Sequence, residues 1–346
     1  SDHCDNKICY YQDFCSIIQC FITVLMMSMF NYSTSNITQT VQPLHQDLKT
    51  FLSVSSCVIF LYVNGVMIFT LKKKTVFQEA SRYILFGHML WFDTLNLVMS
   101  LVLFVCAVCR LFVMKIVCLV LLVAATALYQ VSTLNLALMS LERYVAICFP
   151  LRHAEITTYG RTNMAIGVIW MISCIQSLSE IIVFYSIDTT NIALNLFCSR
   201  TTFFRLQIYK KLDIAFTCMF FMSVCFVIIF TYASIAAVAK TAACDKKSAK
   251  KANKTVLLHL TQLGLCAASI LVGVIQEVIF VYTDYMTSLN VMYFCFVVFM
   301  IFPRCLSPLI YGLRDQAFSC LFKYYFTFGF RRKNSCNTEI HLVSGG

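Results

Sequence analysis

Seven stretches of this chain are each long and apolar enough to cross a lipid bilayer, and nothing else in the sequence restricts the fold so severely. A helix needs about 20 apolar residues to span the hydrocarbon, and it must satisfy every backbone group internally because no water is present there. The stretches lie at Phe51–Leu71, Tyr83–Cys109, Phe112–Val145, Met164–Ser186, Leu212–Ala239, Thr255–Thr283 and Leu289–Leu313. Short connections force neighbouring spans to run antiparallel and pack as a bundle. The expected fold is therefore an all-α membrane protein: a seven-transmembrane helix bundle occupying residues 51–313. An N-terminal segment, residues 1–50, precedes it, and residues 314–346 form a short amphipathic helix and a tail.

Composition supports this reading. Sixty per cent of the residues are hydrophobic and only 12% are charged, against about 25% charged in soluble domains. A net charge of +11 could suggest nucleic acid, but the Lys and Arg residues sit in short clusters between apolar runs and not along one amphipathic face, so no nucleic-acid partner is expected. The 19 Cys include one CxxC pair, Cys106 and Cys109, inside an apolar stretch, and form no Cys/His group at metal spacing, so most are expected to be small buried hydrophobes.

The basic clusters also set orientation, since cytoplasmic loops carry an excess of Lys and Arg. Lys72, Lys73, Lys74 and Arg82 follow the first span, and Arg152 and Arg161 follow the third. Lys240, Lys246, Lys247, Lys250, Lys251 and Lys254 follow the fifth, and Arg314, Lys323, Arg331, Arg332 and Lys333 follow the seventh. These exits share one side, the cytoplasm, which leaves the N-terminus outside. Two glycosylation acceptors, Asn31-Tyr32-Ser33 and Asn36-Ile37-Thr38, precede the first span and agree with an outer N-terminus. The apolar run Phe14–Phe30 is short for a span. It fits a signal-like segment, a weak eighth span, or sequence before a start at Met26, Met27 or Met29, and the last is our expectation.

The strongest local signal is Met139-Ser-Leu-Glu142-Arg143-Tyr144-Val-Ala-Ile-Cys148-Phe-Pro150-Leu-Arg152-His153, at the inner end of the third span. Physically, a carboxylate beside an Arg at a membrane boundary can hold the guanidinium and release it when a partner arrives; an ordinary interfacial ion pair is the plainer reading of two such charges. The whole string resembles the acidic-Arg-Tyr signature of rhodopsin-like (class A) G-protein-coupled receptors, in the extended form found in odorant receptors of the fish or amphibian kind. Asn64, Asp93, Trp170 and Tyr232 match the family's marker positions, and Ser307-Pro308-Leu309-Ile310-Tyr311 stands where the family usually has Asn-Pro-x-x-Tyr. The resemblance covers residues from about 50 to about 325. It implies a switch region of Glu142, Arg143, Tyr144, Tyr232, Pro308 and Tyr311 facing a heterotrimeric G protein. It also implies a Cys118–Cys198 disulfide, which an oxidising compartment permits.

A mid-membrane Asp is costly and marks a candidate site. Asp93 with Asn64, Ser132 and Ser307 could form a polar cluster, either a static network tying helices together or, as the resemblance implies, a switch that holds water or a sodium ion. Ser307 in place of Asn shortens one member of that cluster. Lys251, Thr255 and His259 share one face at the base of the sixth span. The stretch from Asp315 to Phe328 reads as the amphipathic helix, with Phe318, Leu321, Phe322 and Tyr325 on its apolar face.

The ligand is narrowed by what is missing. The seventh span has no Lys for a retinal Schiff base, and no Asp or Glu lies between Cys118 and Ser140 to pair with an amine. The outer halves of the third, fifth and sixth spans are mainly apolar with a few polar groups, which suits a small, largely hydrophobic ligand. Helical spacing nominates Thr126, Tyr129, Gln130, Phe216, Phe220, Ser269, Ile270, Gly273 and Glu277 as pocket walls, although each is also what plain bundle core looks like. The expected function is an odorant-type receptor without cofactors, multi-pass in the plasma membrane. Its partners would be a small ligand, a G protein and lipid. The competing readings are a class A receptor for a peptide or lipid, and a transporter using Asp93, Glu180, Glu277 and Arg304 as an ion path. An enzyme lacks support, since no nucleophile–base pair appears.

Overall fold

Residues 41–73, 77, 80–109, 111–187, 195–198, 207–241, 261, 263–271, 282, 284–304 and 316–326 are described by a computed structural model. The chain divides into two units, Ser1–Ser56 and Cys57–Gly346, and the hydrophobic core clusters lie in the second. Its elements are helix α1 (Val41–Lys72), α2 (Ser81–Val108), strand β1 (Phe112–Met114), α3 (Lys115–Cys148), α4 (Tyr159–Ile187), β2 (Asn195–Phe197) and α5 (Gln207–Thr241). Helical residues 263–271 form the described part of α6. Helix α7 (Tyr285–Cys295) continues through a wide π-type turn (Phe296–Ile301), and α8 (Gln316–Phe326) follows.

Among the described residues, five helices, α1 to α5, are long and apolar enough to cross a membrane. Helix α1 begins at Val41, earlier than its apolar stretch, because Pro43 lies in the first turn, where its missing N–H is no loss. The membrane-length part starts at Thr50, one residue before the expected Phe51. The third span departs from expectation at its start. Phe112–Met114 is not helical but pairs antiparallel with Asn195–Phe197, with Val113 opposite Leu196. The run is apolar and β-branched at its centre, and such short runs are ambiguous between strand and helix.

Helix α3 is the axis of the bundle and packs against α2, α4 and α5. Its 34 residues extend about 51 Å at 1.5 Å per residue, well beyond a hydrocarbon core of about 30 Å. Its first turn is therefore free to meet the β ladder and its last turn to meet other chain segments beyond the lipid. The main core joins α1 to α6 and α8, with Met67, Met89, Leu90, Leu136, Val224 and Leu263 fully enclosed. Large apolar side chains on the outer faces, such as Met171, Ile182, Met222 and Phe226, are exposed, as lipid contact requires of a spanning bundle.

Helix α8 has the expected amphipathic character, but its apolar face is taken up by the protein. Phe318 is fully buried, with ring centroids 5.8 Å from Phe77 and 5.6 Å from Phe86. Tyr325 meets Phe69 of α1 edge-on at 5.2 Å.

Candidate functional site

The two ends of α3 are chemically distinct. At its start Cys118 is bonded to Cys198, with a Cα separation of 5.5 Å across 80 residues of sequence. The adjoining β1–β2 ladder fixes the same loop a second time. Cys118 and Cys198 are enclosed by Leu119, Leu122, Val123 and Phe184, so bridge and ladder close one end of the bundle as a single apolar layer.

At the other end Glu142 is 6% exposed, and its two oxygens face two different side chains, Arg143 and His153. Oε2 lies 3.1 Å from Arg143 Nε, a close charge contact whose angle does not make a hydrogen bond. Oε1 lies 3.1 Å from His153 Nε2. His153 also meets the Thr157 hydroxyl at 3.3 Å, and the Thr157 carbonyl accepts from Ser81 Oγ at the start of α2. A chain of polar contacts thus runs from Arg143 through Glu142, His153 and Thr157 to a neighbouring helix. His153 stood in the sequence motif without an assigned role. Its position follows from Pro150, which ends α3 and starts a turn through Arg152 that folds His153 back onto Glu142. Tyr144 packs against Phe230 of α5 at 5.2 Å between centroids. Tyr232, expected in the same switch, is exposed.

Between the ends lie two polar groups. In the first, Asp93 on α2 is 2% exposed and accepts a hydrogen bond from Ser132 of α3. Asn64 is fully buried, and neither of its amide atoms has a hydrogen-bond partner among the described residues, Asp93 included. The unexpected member is Arg304, 6% exposed, whose Nε lies 3.8 Å from Asp93 Oδ1 without hydrogen-bond alignment. With the Asn96 amide turned so that its oxygen faces Arg304, that oxygen accepts from Nη2 at 2.7 Å. The guanidinium also stands 5.3 Å from the Tyr129 ring centre. The carboxylate expected to hold a sodium ion faces a guanidinium. Two of the four charges of the transporter reading, Asp93 and Arg304, face each other.

In the second group, the hydroxyls of Tyr129 (α3) and Ser269 (α6) meet each other and share the Cys266 carbonyl at 2.8 and 2.7 Å. Phe220 and Ile270 belong to the same core, with Tyr129 packed against it. Of the expected pocket residues, Tyr129 and Ser269 are therefore in direct contact, and Phe220 and Ile270 belong to the core against which Tyr129 packs. Phe216 is half-buried one turn from Phe220. Thr126 bonds back to Leu122 O at 3.0 Å. Gln130 turns to α4: its amide donates to Gln176, which donates in turn to Glu180 at 3.2 Å, so it serves helix pairing.

Against this geometry, the comparisons are specific. Residues 63–311 match the model of the family described as 7 transmembrane receptor (rhodopsin family). The chain belongs to that family. Among relatives of this receptor, odorant receptor 131-2 of zebrafish (Danio rerio) is 37% identical over 270 residues, covering 77% of this chain and 82% of the relative. The family match extends over the described parts of α6 and α7, so the bundle is a seven-transmembrane one and the protein a receptor, not an enzyme. The β1–β2 ladder is an addition to the all-α plan. Asn31, Asn36, Gly273, Glu277, Ser307, Pro308 and Tyr311, together with Lys251, Thr255 and His259, lie outside the described residues of the receptor.

Proposed function

We propose that this receptor binds a small, largely apolar odorant-like ligand in the half of the bundle nearest the disulfide, and that it activates a heterotrimeric G protein at the Arg143 end. The observation that carries the reading is the Tyr129–Ser269 contact, which joins α3 to α6 within the core that includes Phe220 and Ile270. A ligand that displaces or strengthens this contact changes the spacing of α3 and α6, and α3 is continuous from Tyr129 to Glu142. Thr126 and Phe216 extend the same wall, and the sequence nominates Gly273 and Glu277 for the ligand as well. Tyr144 and Tyr232 belong to the G-protein end, for which the sequence also nominates Pro308 and Tyr311.

The basic loop clusters support placing that end in the cytoplasm, with the N-terminus and its acceptors Asn31 and Asn36 outside the plasma membrane. The name of the zebrafish relative and the Glu142–His153 string support an odorant-type ligand and a stimulatory G protein. The test is a screen of neutral and cationic odorants with cyclic AMP as readout in transfected cells. Preference for cationic odorants would make Glu277 a ligand anchor. Silence towards every odorant and every G-protein class, at verified surface expression, would defeat the proposal.

A further inference from the structure

We propose that Arg304 is a built-in cation for Asp93, so that the centre of this bundle is charge-balanced by its own chain and closed to sodium. The inference rests on bundle geometry and is independent of the ligand and the G protein proposed above.

Arg304 is a seated group. Its side chain is 6% exposed, and contacts from two other helices hold it: Asp93 and Asn96 from α2, and the Tyr129 ring from α3. Asp93 in turn is fixed by the Ser132 hydroxyl. A lone guanidinium or carboxylate this deep in a membrane bundle is strongly disfavoured, and here the two face each other at 3.8 Å.

The backbone explains why an Arg reaches this place. Pro303 has no N–H to donate and its ring crowds the carbonyl one turn back. The helix answers with a wide π-type turn over Phe296–Ile301, with Phe302 N–H bonded to Val297 O. One residue more per turn rotates everything beyond it by roughly 100° relative to a regular helix. The Pro-Arg pair therefore acts as a unit: Pro303 sets the phase, and Arg304 meets Asp93.

The exclusion of sodium follows from distance. A cation bound at the carboxylate would lie about 4 Å from the guanidinium, and repulsion between unit charges at that separation weakens binding on the order of a thousandfold at an effective dielectric of about 20. Removing Arg304 while keeping Asp93 and Ser132 lifts that repulsion and leaves a buried carboxylate that needs a cation.

The experiment is thermal unfolding of the purified full-length receptor in lipid nanodiscs, in sodium chloride or N-methylglucamine chloride at equal ionic strength. The wild type is expected to melt at the same temperature in both. R304S is expected to melt higher in sodium, by about 2–4 °C at saturation, and the double variant D93N/R304S to lose that difference. A sodium-dependent rise in the wild type overturns the proposal, as does a folded R304S that ignores sodium. If R304S does not fold in either salt, the charge-neutral pair D93N/R304Q is compared with D93N and R304Q. Recovery of the double variant above both single variants supports charge balance by Arg304. A double variant no better than the worse single one overturns it.

Discussion

Replacing Glu142 by Gln is the most direct probe of the Arg143 end. The substitution keeps the side chain's size and one acceptor oxygen but removes the charge that faces Arg143 and His153, each at 3.1 Å. At an effective dielectric of about 20, a pair of unit charges at that distance attracts by about 5 kcal/mol before desolvation. Arg143 is 25% exposed, and its contact lacks hydrogen-bond alignment. The net loss is therefore about 1–3 kcal/mol, above the surface-pair range of about 0–1 kcal/mol. If the closed pair restrains the receptor, that loss shifts the closed-to-open balance by roughly 5–150-fold. Basal nucleotide exchange on the G protein should then rise towards the ligand-stimulated ceiling. His153→Ala removes one of the two contacts and should raise basal exchange by a smaller factor. The assay is exchange by purified receptor without ligand, at matched receptor density. Basal exchange in E142Q at or below the wild-type level would refute the restraint and return the Glu142 contacts to a purely structural role.

Arg143→Ala should abolish ligand-stimulated exchange while radioligand affinity changes by less than about threefold; parallel loss of binding and surface expression would indicate a folding role instead. Tyr129→Phe removes a hydroxyl shared by α3 and α6, which is worth about 0.5–1.5 kcal/mol. It should shift the ligand concentration for half-maximal response by roughly 2–10-fold, with thermal stability little changed, and an unchanged dose response would remove Tyr129 from the pocket. Cys118→Ser opens a closure spanning 80 residues and should destabilise the receptor by about 2–4 kcal/mol. The check is its melting temperature, together with mass spectrometry of Cys198; wild-type melting would refute a stabilising bridge.

The architecture was legible in the sequence because each level of the argument depended on length or local chemistry. Apolar runs fix the spans, Pro150 marks the end of α3, and paired Phe and Leu positions mark α8. The disulfide and the Asp93–Ser132 contact were also accessible, the first through resemblance and the second through the cost of a lone carboxylate in lipid. What failed depended on phase or on long-range pairing. Phe112–Met114 reads as helix unless Asn195–Phe197 is known to lie beside it. Gln130 satisfies a helical face count for the pocket, yet Gln176 claims its amide. Arg304 stood only in the transporter reading, and its approach to Asp93 lies beyond a π-type turn that changes the helical count. Pro303 was the available signal, since a Pro within a helix announces disturbed hydrogen bonding one turn earlier.

The docking of α8 has a consequence for handling the protein and for its mechanics. Phe318 meets Phe86, and Phe86 lies seven residues before Asp93 on α2, two turns along the same face of one rod. A chain cut before Gln316 would uncover an aromatic socket formed by Phe77, Tyr83 and Phe86, with a risk of aggregation. A tag fused directly after Phe326 would hang its weight on the same socket. Any partner that grips α8 therefore pulls on a handle whose shaft passes through the charged centre of the receptor.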